Sequence, residues 1–262
     1  MDRLRARTYK RPHRPIVVRS SDDGTRMQAP VSPFDLKDSK SQRQTMVDCQ
    51  IRTFEVTDQL VIDQFLAVPR ERFLPDAVRD LAYSDIGFTI PVPKSGGGRY
   101  LLPPLILARL IQGGRVGSSD RVLDVASGSG YSTAILAGLA ASVLSLEADP
   151  TLRHNIKTSL AAFGLDRVRT LDGPLEEGAE SDGPFDVILV NGAVDTGLDA
   201  LFAQLAEGGR LLTIQRSSTD PTGRAAKAMR FEKSSGQVSG RILFDASAPV
   251  LAPFKKAPAF VF

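Results

Sequence analysis

The segment RVLDVASGSGYSTAIL, residues Arg121–Leu136, decides the fold of this chain of 262 residues. Its first part, Arg121–Val125, is a β-branched and apolar run of the kind that forms buried strands, and Ala126–Gly130 is a turn of small residues. From Tyr131 onward the apolar residues have helical spacing. The sequence therefore predicts a strand, a glycine loop and a helix. In such a unit the glycines let the backbone approach a ligand, and the helix offers unpaired N–H groups at its start.

An acidic residue, Glu147, follows the glycine loop at a sequence distance that is typical of nucleotide-binding folds. A second apolar run, Ala141–Leu146, leads to Glu147, about where nucleotide-binding folds place a carboxylate on the ribose hydroxyls. Asp124, just before the loop, would repel a phosphate and attract an α-ammonium group. The dinucleotide fingerprint fails because its third glycine position holds Thr133, and no Gly-Lys-Ser/Thr follows for a phosphate loop. These residues favour S-adenosylmethionine as the ligand; a tight turn that binds nothing is the alternative.

Length and composition limit the remaining possibilities. The chain is long enough for one large α/β domain with additions, and its apolar fraction of 42% supplies a full core. No apolar run is long enough to cross a bilayer, and the amino terminus lacks the apolar core of a signal peptide. The single cysteine, Cys49, agrees with a reducing compartment, and with His13 and His154 it is too isolated for a zinc site or a Cys–His pair. We expect a cytoplasmic monomer without a bound metal or a membrane contact.

The net charge of +3 is unevenly distributed, because basic residues crowd the first stretch of the chain. Residues 1–45 are basic at first, then rich in Ser, Asp, Gly and Pro, and poor in apolar residues, which predicts a disordered arm. Tyr9 and Phe34 stand alone in it, so base stacking and a nucleic-acid partner are not expected. Two readings stay open, a solvated tail and a functional start at Met46. One folded α/β domain is predicted over residues 46–262, with a helical cap and substrate-side loop over 46–118 and a cofactor-binding core over 119–250.

The rest of the chain adds elements to this core. From Met46 onward, helical apolar spacing predicts a cap whose second helix begins at Thr57 or Asp58 and ends at Pro69. The segments after Glu147 predict strands, one helix, a closing antiparallel hairpin and a surface tail: strands over Val168–Leu171, Val187–Val190 and Arg210–Gln215, a helix over Leu198–Leu205, a hairpin over Ala228–Asp245 and a tail over Ala252–Phe262.

Seven segments together resemble one protein family, the protein-L-isoaspartate O-methyltransferases. They occur in the family's order: MVDCQIR from Met46, VPRERFLP from Val68, AYSD from Ala82, RVLDVASGSGYSTAILA from Arg121, VLSLEADP from Val143, PFDVILVNGA from Pro184 and LAEGGRLL from Leu205. The resemblance implies an α/β fold of the Rossmann-like class I methyltransferase type. Its sheet is expected to be mostly parallel, with an antiparallel C-terminal hairpin and a helical N-terminal cap. It further implies S-adenosyl-L-methionine as methyl donor and esterification of a carboxylate in damaged protein, so the expected partner is a protein or peptide that carries isoaspartyl residues.

The same resemblance implies roles for individual residues. Asp124, Gly128 and Gly130 would line the methionine end of the cofactor, and Glu147 would bind its ribose. The pair Asp172-Gly173 would meet the adenine amino group. Ala126 and Asn191, the latter in the loop expected after the fourth strand, complete the predicted cofactor-binding set.

The chain departs from the family pattern on the substrate side. The family's Thr-Ile-Ser segment, whose hydroxyls line the substrate carboxylate, is Tyr100-Leu101-Leu102 here, and the glutamine before it is Arg99. Ala126 stands where the family has the first glycine of its loop. No catalytic serine is assigned, because Leu102 has no hydroxyl. Two alternatives therefore remain beside repair of isoaspartyl residues: a methyltransferase acting on a different acceptor, and a binding protein without catalysis.

Overall fold

The computed structural model describes residues 36–92, 97–217 and 225–256, which form helices around a central sheet. The helices are α1 (Leu36–Met46), α2 (Gln59–Ala67), α3 (Pro104–Gly114), α4 (Tyr131–Ala137), α5 (Pro150–Ala161) and α6 (Asp199–Ala203). The strands are β1 (Phe88–Val92), β2 (Gly97–Leu101), β3 (Arg121–Val125), β4 (Ser142–Leu146), β5 (Arg169–Leu171), β6 (Phe185–Val194), β7 (Leu205–Arg216), β8 (Ala226–Ser234) and β9 (Gln237–Asp245).

The main sheet has seven strands in the order β5-β4-β3-β6-β7-β8-β9. Strands β3 to β7 are parallel, and β8 and β9 extend the sheet as antiparallel strands. Strands β1 and β2 form a separate antiparallel hairpin. The predicted Rossmann-like sheet with its antiparallel closing hairpin is therefore confirmed.

Both faces of the sheet are covered, which explains why its central strands are almost entirely apolar. In β6, Val187 and Leu189 face the core shared with α3, α4 and the cap, whereas Ile188 and Val190 face a second core around α6. Because successive side chains of a strand point to opposite faces, burial on both sides requires apolar residues at every position. This two-sided burial accounts for the continuous apolar run from which the sequence predicts the strand Val187–Val190.

The cap attaches to the domain through α3. The Asp58 carboxylate accepts hydrogen bonds from the backbone N–H groups of Leu60 and Val61 and so caps α2, as predicted. The Gln112 side chain of α3 accepts from the N–H groups of Thr57 and Asp58. This contact fixes the start of α2 against the helix that leads into β3.

The amino-terminal boundary differs from the sequence-based expectation. Helix α1 begins at Leu36, so residues 36–45 are helical rather than part of an arm; residues 1–35 lie outside the described residues. The helix is polar, and the Asp38 and Gln42 side chains pair across one turn. Met46 at its end is fully buried in the main core. The buried Met46 and a hydrogen bond from Nη1 of Arg43 to the Tyr83 hydroxyl therefore hold a helix that lacks an apolar stripe.

Three further elements differ from the predicted bounds. The helix expected over Leu198–Leu205 is the shorter α6, because β7 already begins at Leu205 beside Phe185. The tail expected from Ala252 is anchored by Phe254, which is fully buried, while residues 257–262 lie outside the described residues. Strand β6 continues to Val194 and so includes Asn191. Among the described helices, none combines the length and apolar character required to span a bilayer.

Candidate cofactor site

Strands β3, β4 and β5 end in register at one edge of the sheet, and β6 runs past the same level before it ends at Val194. The paired residues are Val125 with Leu146, Leu146 with Leu171, and Val125 with Val190. The residue after each of these positions therefore belongs to one row, here called the edge row: Ala126, Glu147, Asp172 and Asn191. The row lies at the carboxyl ends of the strands, on both sides of the first core strand β3, where open α/β sheets bind their ligands. The register thus brings four predicted site residues together.

The glycine loop adopts left-handed backbone conformations at the positions that the sequence singled out. Gly128 has φ +60° and Gly130 has φ +88°. A Cβ on Gly128 would lie 3.2 Å from the Cβ of Arg99, and one on Gly130 would lie 3.3 Å from Cγ2 of Ile156. Glycine is required here by conformation and by close approach together. At these two positions no side chain separates the loop backbone from the groups packed against it.

Ala126 also has a left-handed conformation, with φ +56°, although it carries a side chain. Its N–H donates to the carbonyl of Leu146 at 3.0 Å, which holds the start of the loop against β4. A left-handed conformation costs an L-residue other than glycine about 1–2 kcal/mol. The alanine that departs from the family pattern is therefore a strained residue in the edge row.

Asp124 is fully buried and accepts three side-chain hydrogen bonds. The donors are the hydroxyls of Ser132, at 2.8 Å, and Thr133, at 2.5 Å, and the amide of Asn191, at 2.6 Å. Burial raises the pKa of the Asp124 carboxyl to about 6, against the opposing effect of these donors. In the structure both carboxylate oxygens thus join β3 to α4 and β6, and a contact of Asp124 with the cofactor ammonium stays a prediction.

Glu147 is fully buried and carries the densest set of contacts in the row. The N–H of Gly128 donates to Oε2 at 3.1 Å, and the N–H of Asp149 donates to Oε1 at 3.0 Å. The guanidinium of Arg99 pairs with both oxygens, with Nε at 3.0 Å and 2.9 Å and Nη2 at 2.7 Å from Oε1. Arg99 itself is 7% exposed, so this is a buried ion pair.

Asp172 and Gly173 lie at the end of β5, beside the end of β4. The Asp172 side chain is largely exposed and pairs with Nη1 of Arg153 at 2.5 Å. The same nitrogen donates to the carbonyl of Glu147 at 2.8 Å. Arg153 therefore joins the ends of two strands next to the predicted adenine position, while Gly173 adds no side chain there. The contact of Asp172-Gly173 with adenine stays a prediction.

The residues of this edge fit a nucleoside that carries an amino acid group. The glycine loop leaves room for close approach, and a buried carboxylate, Glu147, stands across from it. The Ser129 hydroxyl, between the two glycines, is buried and has no hydrogen-bond partner within the described residues. A buried hydroxyl without a partner is costly unless a ligand supplies one. The carboxylate of Glu147 is, however, paired with Arg99 in the structure, so the ribose hydroxyls can bind it only if that pairing changes.

The segment that departs from the family pattern is packed into the core beside this edge. Leu102 is 2% exposed, and its carbonyl accepts from Nη2 of Arg70 at 2.8 Å. Burial lowers the pKa of the Arg70 guanidinium, which lies over the Tyr131 ring at 4.9 Å. The Tyr100 hydroxyl fills the space that a Cβ on Gly87 would need. Tyr100 thus packs against the chain preceding β1.

Sequence reasoning gave no role to Arg99 or Arg70. Arg99 is the one charged residue in the segment GGRYLL, and such a residue in an otherwise apolar or glycine-rich strand is a signal for a buried partner. Its partner, however, is 48 residues away in sequence. Only the folded hairpin of β1 and β2 brings the two together.

Comparison with known proteins agrees with this geometry. The sequence profile of the protein-L-isoaspartate(D-aspartate) O-methyltransferase family (PCMT) matches residues 41–244. The chain is 33% identical over 222 residues to the protein-L-isoaspartate O-methyltransferase of Picosynechococcus sp., which covers 80% of this chain and 98% of that protein. It is 35% identical over 170 residues to the enzyme of that name from Koribacter versatilis, covering 65% of this chain and 74% of that one.

Solved structures show the same fold. A protein-L-isoaspartate O-methyltransferase superposes with a TM-score of 0.69 at 23% identity, over 80% of this chain and 66% of that one. A putative member from Plasmodium falciparum, solved in complex with S-adenosyl-L-homocysteine, superposes with a TM-score of 0.65 at 20% identity, over 82% of this chain and 98% of that one.

Proposed function

This chain belongs to the protein-L-isoaspartate(D-aspartate) O-methyltransferase family and uses S-adenosylmethionine, and we propose that it methylates the carboxylate of isoaspartyl residues in damaged proteins. The observation that carries the proposal is the edge row. In it a buried carboxylate, Glu147, faces a glycine loop at the carboxyl ends of parallel strands. The proposal further places the reaction in the cytoplasm, for which the single cysteine of the chain is the supporting observation, and assigns it to a monomer.

Methyl transfer to a carboxylate requires alignment of the two reactants more than it requires acid–base catalysis. S-adenosylmethionine supplies a methyl group on a sulfonium, and an ionised carboxylate is already a competent nucleophile at neutral pH. The protein therefore has to bind the two reactants and exclude water between them. We assign ribose binding to Glu147, the methionine end to the loop from Ala126 to Gly130, and the adenine amino group to Asp172-Gly173. We further assign Asp124 to the methionine end, and the amide of Asn191, which donates to its carboxylate, holds it in place.

A paired assay on one preparation tests the function. Calorimetric titration with S-adenosylhomocysteine should show binding, and labelled methyl should be transferred to an isoaspartyl peptide and not to the matched aspartyl peptide. Binding without transfer to the isoaspartyl peptide would contradict the proposed acceptor while leaving the cofactor in place. An absence of binding would contradict the whole assignment.

A ligand series tests the assignment of Glu147 to the ribose. The wild type should bind S-adenosylhomocysteine at least about tenfold more tightly than an analogue that lacks both ribose hydroxyls, since tenfold corresponds to about 1.4 kcal/mol. Glu147→Gln should reduce this preference to about threefold or less, because the charge-assisted hydrogen bonds are lost. An undiminished preference in the variant would show that the hydroxyls bind elsewhere.

A second candidate function rests on one observation, the burial of Leu102. A buried leucine offers its carbonyl and no hydroxyl to the substrate side, and that carbonyl is already bound by Arg70. A methyltransferase with this segment can act on an acceptor other than an isoaspartyl carboxylate. Cofactor binding combined with transfer to a different small carboxylate or protein substrate, and not to the isoaspartyl peptide, would favour it.

A further inference from the structure

The carboxylate assigned to the ribose has no acceptor capacity left in the structure. An ionised carboxylate offers about four lone-pair positions. Glu147 uses them for four donors: the N–H groups of Gly128 and Asp149, and Nε and Nη2 of Arg99. Two of these donors belong to the backbone next to the site and keep the carboxylate oriented. Ribose hydroxyls can therefore reach Glu147 only where Arg99 now binds.

The close approach of Arg99 depends on the glycine loop. The Cβ of Arg99 lies 3.2 Å and its Cγ 3.8 Å from the position of a Cβ on Gly128. Strand β2 thus presents Arg99 across the loop, and the guanidinium passes over it to Glu147. Arg99, in the β1–β2 hairpin, and the cofactor ribose therefore approach Glu147 from the same side, that of the glycine loop.

We propose that Arg99 competes with the cofactor ribose for Glu147, so that cofactor binding exchanges a buried ion pair for hydroxyl contacts. The inference rests on the ribose assignment proposed above. The cofactor affinity then depends on how much more favourable the interaction of Glu147 with the ribose hydroxyls is than its interaction with Arg99. Arg99 sets that affinity without itself binding the nucleoside.

Calorimetry on a variant tests the competition. Arg99→Gln keeps a polar side chain but removes the charge and the paired donors, so S-adenosylhomocysteine should bind at least about fivefold more tightly than to the wild type. Arg109→Gln is the matched control, because Arg109 pairs with the largely exposed Glu55 away from the edge row, and its affinity should equal that of the wild type. Unchanged or weaker binding to Arg99→Gln, with the control intact, would overturn the proposal.

A measurement on the wild type covers the case in which the variant does not fold. In a ¹⁵N spectrum of arginine side chains, the Nε–H of Arg99 should be protected from solvent exchange by its bonds to Glu147. Saturating S-adenosylhomocysteine should remove that protection. The Nε–H of Arg210, which donates to the carbonyl of Gly114 at 2.6 Å, serves as internal reference and should stay protected. Retained protection of Arg99 in the saturated protein would refute the exchange.

The two ligand experiments separate the inference from the assignment on which it rests. If Glu147→Gln leaves the preference for ribose hydroxyls intact, the ribose assignment fails. If Glu147→Gln removes that preference while Arg99→Gln leaves affinity unchanged, the assignment holds and the competition is refuted.

Discussion

Replacement of Asp124 by asparagine should change how the stability of the protein depends on pH. Burial raises the pKa of this carboxyl to about 6 in the folded protein, whereas an aspartate in the unfolded chain has a pKa near 3.8. Between these two values the folded state holds a proton that the unfolded state has released. The free energy of unfolding therefore falls as pH rises through this window, and it is constant with respect to this group above and below it.

The size of the effect follows from the shift. A difference of about 2 pKa units corresponds to about 3 kcal/mol, since each unit is worth about 1.4 kcal/mol. Relative to Asp124→Asn, the wild type should thus lose most of this free energy, about 2.4 kcal/mol, between pH 4 and pH 7. The asparagine of the variant has an NH2 group in place of one accepting oxygen, so the hydrogen bonds of Ser132, Thr133 and Asn191 cannot all be kept as they are, and stability is lowered by an amount independent of pH.

Urea unfolding at half-unit steps of pH measures this difference. Far-UV circular dichroism is the suitable signal, because the chain has no tryptophan. Asp63→Asn, at an exposed position of α2, controls for the removal of one carboxylate. The reasoning is refuted if the stability difference between wild type and Asp124→Asn is the same at pH 4 and pH 7, or if it changes in the opposite direction.

Two further substitutions test other features of the structure. Ala126→Gly should raise the free energy of unfolding by about 0.5–1 kcal/mol in urea titrations, because it relieves the left-handed alanine at φ +56°. The control Ala134→Gly, within α4, should instead lower it by about 1 kcal/mol. A loss of stability in Ala126→Gly would contradict the strain argument. Arg210→Met should cost about 3 kcal/mol, because Arg210 pairs with the buried Asp120 at 2.6 Å and donates to the carbonyl of Gly114. Arg169→Met, which breaks an exposed pair with Asp182, should cost less than about 1 kcal/mol, and equal losses in the two variants would contradict the role of burial.

The core of the fold could be predicted because its signals are local. The strand, loop and helix from Arg121 to Ala137 follow from apolar spacing and small residues, and the structure has each element at the predicted place. The alignment of Ala126, Glu147 and Asp172 follows from the parallel order of strands whose ends the apolar runs mark, whereas Asn191 lies within β6, which continues past its predicted end to Val194. Patterns shorter than twenty residues thus determine most of the cofactor edge.

What could not be predicted depends on contacts distant in sequence. Helix α1 lacks an apolar stripe and is held by the burial of Met46 and by a contact of Arg43 with Tyr83, 40 residues away. Leu205 reads as the end of a helix by local spacing, but pairing with Phe185 makes it the start of β7. The pairing of Arg99 with Glu147 likewise requires the folded hairpin. In each case the partner, rather than the local pattern, determines the outcome.

The edge row also indicates where this enzyme can be altered. A one-residue insertion or deletion within β3, β4, β5 or β6 would turn the following site residue to the opposite face of the sheet, so strand lengths here are fixed by function. The connections that leave the row differ in this respect. The loop Ala126–Gly130 and the pair Asp172-Gly173 carry assigned cofactor contacts, whereas the remaining 11 residues between β5 and β6 carry none and are anchored by the buried Leu175 and Ala179. The substrate-side segment at Leu102 lies outside these strands, so acceptor preference can be altered there while the strand lengths that set the methyl-donor site are kept.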